Sequence, residues 1–241
     1  MKALAAIGAV LILAGCGGGR GGESEQGALI IYAASSLTDV FQDLDAKAVF
    51  NFAGSDELAT QIREGAEADV YAAANPRYPD ELYGDGLLEQ PTIFATNHLV
   101  LVVPRDNHAR IRSLADLDKE GVKLVIGAEG VPVGDYTREV VEKAGKKQIL
   151  DRVVSEEEDV KGVMAKVALG EADAGFVYAT DANASEDVRS IELSDEIQVP
   201  IRYPVAVVAA SKREERAREF VDLLLSDMGR KALQDAGFGL P

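Results

Sequence analysis

The sequence predicts an α/β protein of two lobes, with mostly parallel sheets and two strands that cross between the lobes. Two observations predict it. From residue 28 onward short apolar runs alternate with helical patterns, which makes βαβ units and parallel pairing. Two further apolar stretches, LVLVVPRDN at 99–107 and RYPVAVVAA at 202–210, are long, and each carries a proline near one end. Strands of this kind can serve as a hinge. Lobe one is then expected at 28–103 plus 205–241, and lobe two at 104–204. A chain of 241 residues has room for both, each with its own core.

The first segment reads as an export signal. Lys2 precedes an apolar run from Ala3 to Ala14, the pattern of a secretory signal and too short for a comfortable membrane span. It closes on Leu13-Ala14-Gly15-Cys16, which resembles the bacterial lipobox. Cys16, the only cysteine in the chain, is thus expected to carry a lipid after cleavage of residues 1–15. Residues 16–27 are Gly-rich and polar and read as a flexible tether. With one cysteine no intramolecular disulfide can form.

Strands are expected at 29–34, 48–53, 68–74, 97–104, 122–127, 174–179 and 203–210. Helices are expected at 37–45, 56–64, 79–87, 113–119, 136–144, 159–169, 212–226 and 228–236. In the helix 159–169, Val160, Val163, Met164, Val167 and Ala168 share one face and Gly170 ends it. Ala217, Phe220, Val221 and Leu224 do the same for 212–226.

Several strand-to-helix junctions could carry chemistry. In YAASSLTDVF (32–41) a strand ends on Ser35 and Ser36. Either serine could cap the helix, or the helix N-terminus with its hydroxyls could hold an anion. In FAGSDELATQI (52–62) Ser55 is a natural N-cap, and Gly54 lets the backbone approach a ligand. VPVGDYTREVV (131–141) enters a helix without a Ser or Thr cap, so its first N–H groups lack a side-chain acceptor. SEEEDVKGVM (155–164) admits two registers: a capping box from Ser155 to Glu158, or Asp159 as the cap. Tyr178 ends the apolar strand of AGFVYATDA (174–182), the end at which open α/β sheets bind ligands.

Charge limits the partners. The chain carries 41 acidic and 25 basic residues, a net −16. This argues against nucleic acid and against an anionic membrane surface. Loss of Lys2 would leave the mature chain one charge more negative than that −16. A small anion is still possible, because neutral donors can build a local site. The two histidines, His98 and His108, fall in a hinge strand and the loop after it. A secreted hydrolase with Ser36 or Ser55 as nucleophile would therefore lack a base beside the serine. No metal and no organic cofactor is expected.

Taken together, Ala33-Ala34-Ser35-Ser36-Leu37, Phe52-Ala53-Gly54-Ser55, Val131-Pro132-Val133-Gly134, Glu158-Asp159-Val160, Phe176-Val177-Tyr178 and Tyr203-Pro204-Val205-Ala206-Val207-Val208 resemble, in order and context, the periplasmic molybdate-binding proteins of ABC importers. The resemblance spans nearly all of 29–241. It implies the type II periplasmic-binding-protein fold, two α/β lobes joined by two crossing strands, with the oxyanion held between them by hydroxyls and backbone N–H groups. Carried over by motif, the donors are the hydroxyls and N–H groups of Ser36 and Ser55, the N–H of Val133, the N–H of Val160 and the hydroxyl of Tyr178. That assignment favours Asp159 as the cap, since a helix starting at Ser155 would take the Val160 N–H into its ladder. Val133 stands where other members often have Ala, and only its backbone is used. No cation is implied: Lys161 is expected to point away along its helix, and Arg138 lies beyond the first turn.

The same resemblance implies a lipid-anchored, extracytoplasmic monomer that passes molybdate or tungstate to importer subunits. A receptor for sulfate or another small anion is the alternative. One departure concerns the 13 residues from Ser35 to Lys47, fewer than members usually place before the FAGS strand. A parallel crossover needs about a dozen residues or more, so the first helix is expected to be short.

Overall fold

A computed structural model describes residues 27–241. The expected signal peptide, Cys16 and all of the tether but Gly27 lie outside the described residues. β1 (Ile30–Ala34) runs into a 3-10 turn (Ser35–Leu37), α1 (Thr38–Leu44) and β2 (Val49–Ala53). α2 (Ser55–Arg63), β3 (Val70–Ala72), α3 (Arg77–Gly84) and β4 (Thr92–Asn97) follow. Then come β5 (Leu99–Pro104), β6 (Leu124–Gly127), α4 (Pro132–Lys143), β7 (Val153–Glu157), α5 (Val160–Ala168) and β8 (Ala174–Tyr178). The chain closes with α6 (Ala179–Asn183), β9 (Val188–Glu192), β10 (Ile201–Val207), α7 (Glu214–Leu225) and α8 (Asp227–Asp235).

The strands make two five-stranded sheets, ordered β2-β1-β3-β10-β4 and β7-β6-β8-β5-β9. In the first, β1 pairs parallel with β2 and β3, and β10 enters antiparallel between β3 and β4. In the second, β6 pairs parallel with β7 and β8, and β5 enters antiparallel between β8 and β9. Each lobe is thus a parallel βαβ part extended by antiparallel strands. The chain changes sheet between Asn97 and Leu99, and again between Glu192 and Ile201. The expected limits at 103/104 and 204/205 move to these places, because β5 lies wholly in the second sheet and β10 wholly in the first. Apolar content reports how deeply a strand is buried, not which sheet it joins.

The short connection after Ser35 closes as expected. α1 has 7 residues, and β2 still reaches parallel register with β1, Ile30 opposite Val49. Phe41 on α1 is fully buried against Phe94 and Phe220. Three strands were not expected from the sequence: β4, β7 and β9. Each lies at an edge of its sheet.

Candidate functional site

The junctions singled out above converge on one cleft between the lobes. Ser36, Ser55, Val133, Val160 and Tyr178 all line it, together with Gly54, Ala74, Pro132 and Asp159. The cavity is about 10 Å³, far below the roughly 300–1,000 Å³ of sites for drug-sized molecules. Its contents must be small. All five residues are buried, Ser36 the least at 8% exposure.

The first two helices present their starts differently from what local rules suggest. α2 is capped by Gly54, and Ser55 is already its first helical residue. Ser55 Oγ instead accepts from the Ala74 N–H at 3.0 Å. Neither Ser35 nor Ser36 caps with its side chain. Ser36 Oγ lies 3.1 Å from the Tyr203 hydroxyl, and the Ser35 carbonyl accepts from Thr38 Oγ1 at 2.7 Å. The expected capping by serine therefore does not occur, and both cavity hydroxyls are tied to distant groups.

α4 begins at Pro132, with Val131 as an uncapped N-cap. Its first intrahelical bond runs from the Asp135 N–H to the Val131 carbonyl, 2.9 Å, so the Val133 N–H precedes the ladder. Two glycines bring this helix start onto the end of β6. A Cβ on Gly134 would stand 2.2 Å from the Ala128 carbonyl and 2.3 Å from that of Gly127. Any side chain there would push the Val133 N–H away from the cavity.

For α5 the structure selects Asp159 as the cap. Its backbone is extended (φ −157°), and its Oδ1 accepts from the Gly162 N–H at 2.8 Å. Ser155 and Glu156 belong to β7. The cap satisfies the third N–H of the helix and leaves that of Val160 ahead of the first turn. Val163 and Val167 pack fully buried beneath.

Tyr178 is the most telling side chain. Its hydroxyl is buried and has no hydrogen-bond partner. A buried hydroxyl left unpaired costs about 1–3 kcal/mol, so an acceptor in the cavity would remove a standing penalty. Burial raises its pKa well above the usual phenol value, so it is a proton donor at any physiological pH. Tyr203 behaves likewise, with hydrogen bonds to Ser36 and Asn97 only partly opposing the effect of burial.

Three contacts close the cleft. The Tyr78 hydroxyl of α3 donates to the Gly130 carbonyl before α4. Arg77 stands 3.6 Å from Asp135, and Lys161 of α5 stands 3.5 Å from Asp39 of α1. Lys161 was expected to point away along its helix. It instead bridges the lobes and also meets Asp181 at 3.2 Å. Burial lowers the Lys161 pKa, but Asp181 and Asp39 outweigh it and the net shift is upward. Arg138 stays within lobe two, bonded to the Gly127 and Gly134 carbonyls at 2.9 and 3.0 Å.

The arrangement offers hydroxyl and N–H donors and no cation in the cavity lining, which suits a small oxyanion. It does not suit nucleophilic catalysis. Ser36 is partnered by Tyr203 and Ser55 by Ala74, while His98 pairs with Glu192 and His108 with Asp106 and Asp173. Among the described residues no group of three or more His, Cys, Asp or Glu side chains could hold a metal ion. Sequence reasoning named these five cavity residues and missed what stands behind them. Ala74 acts through its backbone and carries no sequence signal. Tyr203 belongs to the quoted YPVAVV motif, but nothing local ties it to Ser36, 167 residues away.

Residues 29–239 match the family of bacterial extracellular solute-binding proteins. The molybdate-binding protein ModA of Mycobacterium tuberculosis is 37% identical over 224 residues, covering 88% of this chain and 85% of that one. ModA of Escherichia coli is 30% identical over 235 residues, covering 89% and 90%. The periplasmic molybdate-binding protein of Azotobacter vinelandii shares the fold with a TM-score of 0.79, at 19% identity over 88% of this chain and 99% of that one. On the strength of the family match and these relatives, the chain belongs to the bacterial extracellular solute-binding proteins.

Proposed function

We propose that the protein binds molybdate, or tungstate, outside the cytoplasm and delivers it to an ABC importer. The observation that carries this reading is the buried, unpartnered Tyr178 hydroxyl in a cavity ringed by Ser36, Ser55 and the N-termini of α4 and α5. The relatives named for molybdate binding support the choice of ion. Ser36, Ser55 and Tyr178 donate their hydroxyl protons, and Ser36, Ser55, Val133 and Val160 donate backbone N–H groups. Hydrogen bonds to a charged acceptor contribute roughly 1.5–3 kcal/mol each, so about seven of them can offset dehydration of a dianion. Fixed neutral donors select by size, whereas a lysine or arginine would accept any anion of the right charge.

The protein acts as a monomeric receptor, without catalysis and without a resident metal or organic cofactor. The lipobox at Cys16 supports an anchor on the outer face of the cell membrane. Isothermal titration of the purified protein with molybdate, tungstate, sulfate and phosphate tests the reading. Molybdate and tungstate should bind alike, and sulfate, being smaller, at least a hundredfold more weakly. Equal affinity for sulfate and molybdate would sink the molybdate assignment.

A further inference from the structure

The donors account for what touches the anion, but a serine hydroxyl can rotate, and its direction must come from elsewhere. Ser36 Oγ has one proton. Directed at the Tyr203 oxygen, that proton would leave lone pairs facing the anion, which repels it. Directed at the cavity, it needs Oγ to accept a bond from behind. The Tyr203 hydroxyl is placed to supply that bond, 3.1 Å from Ser36 Oγ in a fully buried setting. A phenol O–H is also by its chemistry a stronger donor than an alkyl hydroxyl.

Tyr203 reaches the other bank as well. Its ring meets that of Tyr178 edge-on, with centroids 5.8 Å apart at 68°. Phe94 and Phe238 hold it from behind at 6.3 and 5.4 Å. Its own aim comes from β10, whose register with β4 shifts between Tyr203 and Pro204. Proline has no N–H to give the ladder, and such irregularities redirect side chains.

We propose that Tyr203 is a positioning residue for the anion site: its hydroxyl donates to Ser36 Oγ, turning the serine proton into the cavity, and its ring steadies Tyr178. The inference rests on the oxyanion reading given above. It places a residue of β10, the strand that follows the second crossing, in contact with one donor from each lobe.

A double-mutant cycle tests it, with molybdate titrated into wild type, Ser36→Ala, Tyr203→Phe and the double variant. Phe keeps the ring and its aromatic neighbours, and melting of the ligand-free variants checks the fold. Ser36→Ala should weaken molybdate about ten- to a hundredfold, and Tyr203→Phe about three- to tenfold. In the Ser36→Ala background, Tyr203→Phe should change affinity less than about twofold, because the hydroxyl it would aim at the anion is gone. An equal loss in both backgrounds would overturn the positioning role, since a merely structural effect would persist without Ser36. So would unchanged affinity in Tyr203→Phe beside a weakened Ser36→Ala. Unchanged affinity in Ser36→Ala would instead overturn the anion site itself, and the role of Tyr203 with it.

Discussion

The two banks of the cleft prepare their polar groups in opposite ways. On lobe one, Ser36 and Ser55 each have a buried partner behind the oxygen, the Tyr203 hydroxyl and the Ala74 N–H. On lobe two, the N–H groups of Val133 and Val160 precede their helical ladders, and Tyr178 has no partner. The buried carboxylates show the same contrast. Asp69 in lobe one accepts from the Ile30 N–H (2.8 Å) and the Ser211 hydroxyl (2.7 Å) and pairs with Arg213 at 3.2 Å. Asp181 in lobe two makes no hydrogen bond and has only the ion pair with Lys161. The difference teaches that the cavity hydroxyls of lobe one are held from behind by the protein, while the Tyr178 hydroxyl of lobe two waits for what enters the cleft.

The largest test of this comparison asks whether the banks must meet. Gly54 lies in lobe one, and a Cβ there would stand 2.5 Å from the Glu158 carbonyl of lobe two. Its φ of −60° is open to any residue, so space alone demands glycine. Gly54→Val should hold the lobes apart and cost about 3 kcal/mol or more of binding, over a hundredfold. Titration with molybdate reads the loss, and small-angle scattering should show no compaction on adding it. Full affinity would mean that the halves need not touch.

The two carboxylates come next. Burial raises the Asp181 pKa from 3.8 to about 6, with Lys161 opposing. In that window the folded state holds a proton that the unfolded state has released. Stability from this group is therefore full below pH 4 and is lost as pH rises through 6, by roughly 3 kcal/mol in all and about 2 of it between pH 4 and 6. Asp181→Asn should remove that fall, so its stability relative to wild type should grow across the window. Asp69→Asn should do the reverse at pH 7 and destabilise, because it removes the buried charge beside Arg213, whose side chain is 16% exposed, and leaves it only the half-exposed Glu67 as a charged partner. Denaturant unfolding at pH 4, 5, 6 and 7 checks both. Parallel behaviour of the two variants would break the comparison.

The hydroxyl donors sharpen it further. Ser55→Ala and Tyr178→Phe should each weaken molybdate by roughly 1.5–3 kcal/mol, about ten- to a hundredfold. Their effects on the ligand-free protein should differ. Ser55→Ala leaves the buried Ala74 N–H without its acceptor and should cost about 1–3 kcal/mol of stability. Tyr178→Phe removes a group with nothing to lose and should melt at or above the wild-type temperature. Equal melting shifts would argue that the banks are alike after all.

The smallest effect belongs to Lys161. Its lobe-crossing contact with Asp39 is largely exposed, and such pairs are worth about 0.2–1 kcal/mol. Lys161→Gln should weaken molybdate no more than a few fold, with the difference fading in high salt. A hundredfold loss, read by titration, would turn the site into a cationic one.

Much of this was legible in the sequence, and the exceptions share physical causes. The interior strands β1, β3, β5, β6, β8 and β10 announce themselves as apolar runs because both faces are covered. The three strands that sequence reading missed are edge strands. β7 carries Glu156 and Glu157, and β9 carries Arg189 and Glu192, charges that discourage further pairing and make a strand look like a loop. β4 was lost differently, since only His98 separates it from β5. At the site, motif order led to all five cavity residues, but the serine caps were misread. A capping rule looks a few residues ahead, while the groups that hold Ser36 and Ser55 come from β10 and from the residues after β3. Lys161 was misplaced for the same reason, since its partner Asp39 lies on the other lobe.

The crossing between the lobes has a mechanical consequence. One connection is a single residue, His98, whose N–H is held by the Asn97 side chain at 2.9 Å. The other runs from 193 to 200, and within it Gln198 grips both the N–H and the carbonyl of Leu99, at 3.2 and 2.7 Å. The two straps are thus buckled together and must turn as one. Such a joint permits a swing about a single axis and little sideways play. Freezing a backbone residue costs about 1–2 kcal/mol, and here few torsions are free to be frozen when the cleft shuts. Capture then loses little of its strength to stilling a loose joint, and the same stiffness lets an importer prise both straps open with one pull.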